Sequence, residues 1–186
     1  MTCKVINLQT QLIPCKIETK FPSVKWDLVW SYTVTKGLPS DLRSFLWRMV
    51  HDLLPTPSRM FRLKLPNISS ENCQLCTEST CGDLAHCLLS CPFNDGVEAI
   101  IYRALSKHNK ILSKNEIVHL DFEVGNQELP VMFLVGTVFL YVWTCRKEKK
   151  VCRMQQIRAT LEAKVNILRK GRFNAAADTL LEYLKP

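Results

Sequence analysis

Apolar residues recur along this chain at helical rather than strand spacing. Between 40 and 55, Leu42, Phe45, Leu46, Met49, Val50 and Leu53 follow one another at steps of 3, 1, 3, 1 and 3. That is the stripe of an amphipathic helix, with Ser40 as its expected N-cap and Pro55 as its stop. Thr56 followed by Pro57 reads as an N-cap and first helical position, opening a short helix to about 64 with Met60, Phe61 and Leu65 available to the core. Shorter stripes predict helices from 24 to about 33, around Trp26, Val29 and Trp30, and from a cap at Asn94 to about 107, using Val97, Ile100, Ile101 and Leu105. Residues 1–22 have no sustained period and read as an extended lead-in. Residues 108–128 offer only a short helix near 114 to 119.

From 131 to 170 the one helix-weakening residue of note is Gly136, so one long helix or two joined near Glu148 is expected. The apolar run 129–143 contains Pro130, Gly136 and Thr137 and stops short of the roughly 20 residues of a membrane span, which predicts a buried core helix and no membrane association. Further on, Val151, Met154, Ile157, Leu161, Val165 and Leu168 form an apolar stripe beneath a basic face. Gly171 closes that helix, and 174 to 184 reads as a short terminal one. Trp26, Trp30, Phe61 and Trp143 are expected in the core. Arg43, Trp47 and His51, four apart on the far side of their helix, read as packing against a neighbour more than as a stacking platform for a base.

Charge changes this picture in one place. Residues 146 to 172 hold ten basic residues (Arg146, Lys147, Lys149, Lys150, Arg153, Arg158, Lys164, Arg169, Lys170 and Arg172) and two acidic ones, from chain totals of 25 and 17. The rest of the chain carries 15 of each sign, so the whole formal charge of +8 sits on this segment. RNA or DNA is the expected partner, with Lys147, Lys149, Lys150, Arg153, Arg158, Lys164, Arg169 and Lys170 as the candidate phosphate contacts. The alternative is a helix-mediated protein partner or self-association along 151 to 168. Nothing in the first 25 residues has the order of a secretory signal, so an intracellular protein is expected, in nucleus or cytoplasm.

The cysteines change it again. Five of nine, Cys73, Cys76, Cys81, Cys87 and Cys91, fall within nineteen residues of a loop-like stretch, a clustering that favours metal over disulfides. Cys73 and Cys76 form a C-x2-C pair, and His86 and Cys91 form an H-x4-C pair nine residues further on. Three thiolates and an imidazole complete a tetrahedron suited to zinc. Cys81 could replace one of the four ligands. A filled site of this kind leaves no open position for water, so it is structural, and its binding energy becomes folding energy for a loop with almost no apolar content.

Catalytic patterns are absent. The seven aspartates are isolated, without the paired carboxylates that a two-metal polymerase needs, and the six glycines form no phosphate loop. Cys145 and Cys152 lie beside basic residues with no histidine partner evident in the sequence. No enzyme activity and no small-molecule substrate are expected.

The order FLWRMVHDLLPT (45–56), SRMFRLKL (58–65), CQLC (73–76) and HCLLSCPF (86–93) resembles the zinc-binding region that follows the polymerase domain in non-LTR retrotransposon reverse transcriptases. The resemblance covers 24 to 93 well and 130 to 170 less specifically. It implies that Cys73, Cys76, His86 and Cys91 are the ligands in preference to a set using Cys81, and that the region helps hold template RNA or target DNA. The expected protein is mostly α: a lead-in over 1–23, a helical zinc-binding domain over 24–107, a connecting segment over 108–129, and a helical tail with a basic face over 130–186. Its expected function is a non-catalytic zinc-binding module that binds nucleic acid. The alternatives are a zinc-stabilised protein interaction module or a decayed element fragment.

Overall fold

The helical spacing of the apolar residues is realised as α-helices packed around one central rod. The computed structural model describes residues 16–33, 37–76, 80–94, 96–107, 112–121 and 128–184. In chain order the α-helices are α1 (Lys16–Lys20), α2 (Trp26–Thr33), α3 (Ser40–Val50), α4 (Pro57–Arg62), α5 (Val97–Ser106), α6 (Lys114–Val118), α7 (Glu128–Glu148), α8 (Met154–Lys170) and α9 (Asn174–Leu184). A π-helical turn, His86–Ser90, lies between α4 and α5. Among the described residues there is no strand, only an isolated antiparallel bridge between Asn72 and Cys81.

The rod is α7. Its residues 131–139 are all buried, which is what a helix apolar on every side requires of its surroundings. It packs against α3, α5, α8, α9 and the π turn. At 21 residues the helix is longer than the apolar run that marks it, and by length and composition alone it could cross a membrane. Yet 72% of its most apolar window is buried inside the protein, so it is a core helix. Gly136 sets how closely α3 approaches: a Cβ there would lie 3.2 Å from Leu42 Cδ1 and 3.3 Å from Leu46 Cδ1.

Of the two expected forms of the segment 131 to 170, one long helix or two joined near Glu148, the structure has the second. Lys149 adopts a left-handed conformation (φ 54°), and Lys150 N–H donates back to the Cys145 carbonyl at 2.9 Å. A non-glycine residue there costs about 1–2 kcal/mol. The reversal lets α8 fold back and bury Ile157, Leu161, Val165 and Leu168 against α7 and α9, each worth about 1.5–3 kcal/mol, so four burials outweigh one strained residue. The stripe offered as an alternative docking surface for a partner helix is therefore covered within the chain from Ile157 to Leu168. Val151, its first member, is exposed.

Several boundaries differ from the expectation for local reasons. The anticipated extended lead-in contains the short helix α1, whose Glu18 carboxylate accepts from the Trp30 indole N–H at 2.8 Å; residues 1–15 lie outside the described residues. Pro39, not Ser40, occupies the cap position of α3. That helix ends at Val50, ahead of the left-handed Asp52 (φ 52°) and short of Pro55, with Leu53 N–H donating to the Arg48 carbonyl at 2.8 Å. The reversal turns the chain so that Leu54 is buried and Leu53 exposed. Thr56 caps α4 as predicted, its hydroxyl accepting from Arg59 N–H, but α4 ends at Arg62 and leaves Phe61 and Leu65 exposed instead of in the core. Trp26 is buried, and Trp30 and Trp143 are partly buried against the same core. Gly96 stands at the cap of α5, and Asn94 serves elsewhere, its Nδ2 donating to the Cys87 carbonyl at 2.8 Å.

Candidate metal centre and basic surface

Two local structures carry the four predicted ligands to one point. The first is a tight hairpin: Cys73 N–H donates to the Thr80 carbonyl at 3.0 Å, and Gly82 N–H to the Glu71 carbonyl at 2.8 Å, closing a loop that presents Cys73 and Cys76. Its base rests on α4, where a Cβ on Gly82 would meet Pro57 Cγ at 2.7 Å. The second is the helical turn that Asp83 opens by accepting the His86 N–H at 2.8 Å.

That turn explains why H-x4-C is a workable spacing. In an α-helix, residues five apart point about 140° away from each other. Here Cys91 N–H donates to the His86 carbonyl at 2.9 Å, an i to i+5 bond that widens the turn and brings Cys91 back over His86.

The metal-ligating atoms of Cys73, Cys76, His86 and Cys91 all lie within 4.8 Å of one another. Cys73 Sγ is 3.8 Å from Cys91 Sγ, and Cys76 Sγ is 3.5 Å from His86 Nε2. A tetrahedral zinc ion with its usual bond lengths sets sulfur–sulfur edges of about 3.8 Å and sulfur–nitrogen edges of about 3.6 Å. The cluster thus fits zinc in donor type and in spacing. When bound, the ion supplies a crosslink between hairpin and turn. The Thr80 hydroxyl lies 3.4 Å from His86 Nδ1, which leaves Nε2 directed at the cluster.

The neighbouring thiols are set apart. Cys81 is exposed and Cys87 buried, and neither joins the cluster. Burial pushes the Cys87 thiol up to about 12. Burial also raises Cys91. For Cys73 burial acts in the same direction, but the Leu75 backbone N–H, the Arg146 guanidinium and His86 together outweigh it and bring the thiol down to about 6. Cys145 and Cys152 are both buried.

Residues 15–97 match the family described as zinc-binding in reverse transcriptase. The matched segment runs from α1 to the start of α5 and contains all four clustered side chains. The family so described is a zinc-binding region and not the polymerase catalytic domain. The matched segment spans less than half of the chain, and α6 to α9 lie outside it. No curated protein and no solved structure matches the chain.

The basic segment is not the continuous face its composition predicts. Lys147, Lys149, Lys150 and Arg153 are exposed around the corner between α7 and α8, with Lys150 paired to Glu148 at 2.8 Å. Arg169, Lys170 and Arg172 are exposed at the other end of α8, with Arg169 paired to Asp178 at 3.3 Å. Between them, Arg158 is partly buried and donates to the Leu184 carbonyl at 3.0 Å, and Lys164 pairs with Asp41 of α3 at 3.3 Å. The exposed middle of α8 is Gln155, Gln156, Ala159, Glu162, Ala163, Asn166 and Ile167, almost without charge. Two basic patches therefore stand about 25 Å apart by helical rise.

Two groups behave differently from their sequence pattern. Trp47 is 47% exposed and not packed away: His51 stands between it and Trp30, with ring centroids 4.3 and 4.7 Å apart, and Arg43, Ser44 and Arg48 share its shallow groove. Arg146, counted with the surface charge, is buried beside Cys73. Its signal was periodicity, since it continues the buried positions Val135, Val138, Phe139 and Val142 by one further turn.

Proposed function

We propose that Cys73, Cys76, His86 and Cys91 hold one structural zinc ion, and that the chain is a non-catalytic module binding RNA or DNA through the basic ends of α8. The observation that carries the second half is that Lys147, Lys149 and Arg153 at one end of α8 and Lys170 at the other are exposed and without an ion pair among the described residues. Cations already paired within the fold gain little from a phosphate, whereas these four are free to release counterions. Trp47 beside Arg43 and Arg48 supports contact with unpaired bases as well. None of the seven described cysteines is in a disulfide, which supports a reducing, intracellular setting.

The test is a fluorescence-anisotropy titration with a hairpin RNA and a DNA duplex at several salt concentrations, beside a variant with Lys147, Lys149, Arg153 and Lys170 changed to Gln. Binding should weaken steeply with salt, and the variant's salt slope on the duplex should fall by about 0.9 for each phosphate it no longer neutralises. No binding to either ligand at low salt would overturn the nucleic-acid reading.

A second reading follows from Phe61, Leu63 and Leu65, exposed on and just after α4: an interaction module whose apolar patch docks on another protein. Association through that patch would survive high salt, unlike phosphate binding.

A further inference from the structure

Arg146 comes from the last turn of α7, 73 residues along the chain from Cys73 and outside the segment that matches the zinc-binding family. Its Nη2 donates to Cys73 Sγ at 3.1 Å, and the guanidinium also faces Cys91 and Cys87. The residue is only 9% exposed, Nη1 is buried with no hydrogen-bond partner, and no carboxylate pairs with it among the described residues. A buried guanidinium without a counter-charge is strongly unfavourable. Besides the Cys87 thiol, the groups that face it are the sulfurs of Cys73 and Cys91, which carry negative charge as metal-bound thiolates.

We propose that Arg146 is a positioning residue of the metal centre: it hydrogen-bonds the ligand sulfurs, offsets their charge, and makes docking of the α7 terminus part of zinc binding. The charge count supports this, because three thiolates on a divalent ion leave a net charge of −1 and one guanidinium neutralises it. Partners of this kind orient ligands and tune affinity even though they never touch the metal. The working zinc-binding unit of this chain then extends to residue 146, some fifty residues beyond the family segment. The proposal rests on the ligand set given above.

The experiment uses the full chain. Zinc affinity is measured by competition with a chromophoric chelator for the parent and for Arg146→Met, Arg146→Lys and Cys76→Ser. Arg146→Met should bind zinc on the order of 10- to 100-fold more weakly. Arg146→Lys should recover part of the loss, since it restores the charge without the planar fork. In the cobalt-loaded protein, Arg146→Met should move the sulfur-to-cobalt charge-transfer band to longer wavelength, because N–H donation to sulfur lowers the energy of the donated electrons. Packing loss alone does not produce that shift.

In the parent, chelation should speed hydrogen exchange in the last turn of α7 as well as in the loop. This measurement decides the matter if Arg146→Met fails to fold. Parent affinity and an unshifted cobalt band in Arg146→Met, or loop exchange that rises while the α7 terminus stays protected, would overturn the proposal. Failure of the ligand set is read separately, as parent-level zinc binding by Cys76→Ser.

Discussion

The zinc loop and the α7 to α9 bundle solve the same problem with opposite means. The bundle buries Val131 to Phe139, Ile157, Leu161, Val165, Leu168, Leu180 and Tyr183 in one apolar core. Its fold follows from hydrocarbon packed at helical spacing. The described residues of 66–82 contribute almost nothing to that core and are held by two hairpin hydrogen bonds, the Pro57 contact and ligand atoms that converge with those of His86 and Cys91. The difference teaches where each region is vulnerable. One fails when its metal is removed, the other when its volume changes.

Metal removal is the strongest way to sharpen the contrast. A structural zinc site contributes on the order of 10 kcal/mol. Chelation should expose residues 66–91 to limited proteolysis well before 154–184, and uniform cutting of both regions would break the distinction. The converse is a cavity in the rod. Phe139→Ala should cost about 3–5 kcal/mol, seen as a lowered denaturant midpoint, with one zinc per chain retained below the transition.

What was legible in the sequence divides along the same line. α3, α8 and α9 were readable because their apolar stripes are long enough for periodicity to speak, and the donor types of the metal cluster were readable from spacing. Phe61 and Leu65 were misplaced because helical spacing says which side chains share a face, not whether anything covers it. Leu53 and Leu54 exchanged roles because the left-handed Asp52 resets the phase in a way that composition does not announce. The π turn was hidden, since H-x4-C carries no mark of an i to i+5 bond. Arg146 was misread because charge is ordinarily a surface property. The even basic face was an over-reading for the opposite reason: composition counts charges but not their partners, such as Asp41 for Lys164.

Smaller perturbations test the joint between the two regions. Thr56 caps α4, the helix against which the hairpin base packs, so Thr56→Ala should lower stability by about 1 kcal/mol in a denaturant titration. The smallest expected effect is one of pH. Burial lowers the pKa of His119, whose Nδ1–H donates to the Asn115 carbonyl at 2.7 Å and which is surrounded by Asp52, Lys20 and Asp121. A histidine depressed in the fold binds protons more readily when unfolded, so its share of stability is complete above the ordinary value of 6.5 and declines as pH falls below it. His119→Gln should flatten the fall of Tm between neutral and mildly acidic pH relative to the parent at constant zinc. An unchanged slope would exclude His119 as a contributor.

The central claim is that one zinc ion, held by Cys73, Cys76, His86 and Cys91, fixes a loop that hydrocarbon cannot. Native mass spectrometry of the parent, Cys76→Ser and Cys81→Ser tests it most directly. The account predicts one zinc per chain in the parent and in Cys81→Ser, and none in Cys76→Ser. Zinc retained by Cys76→Ser, or lost from Cys81→Ser, would contradict it.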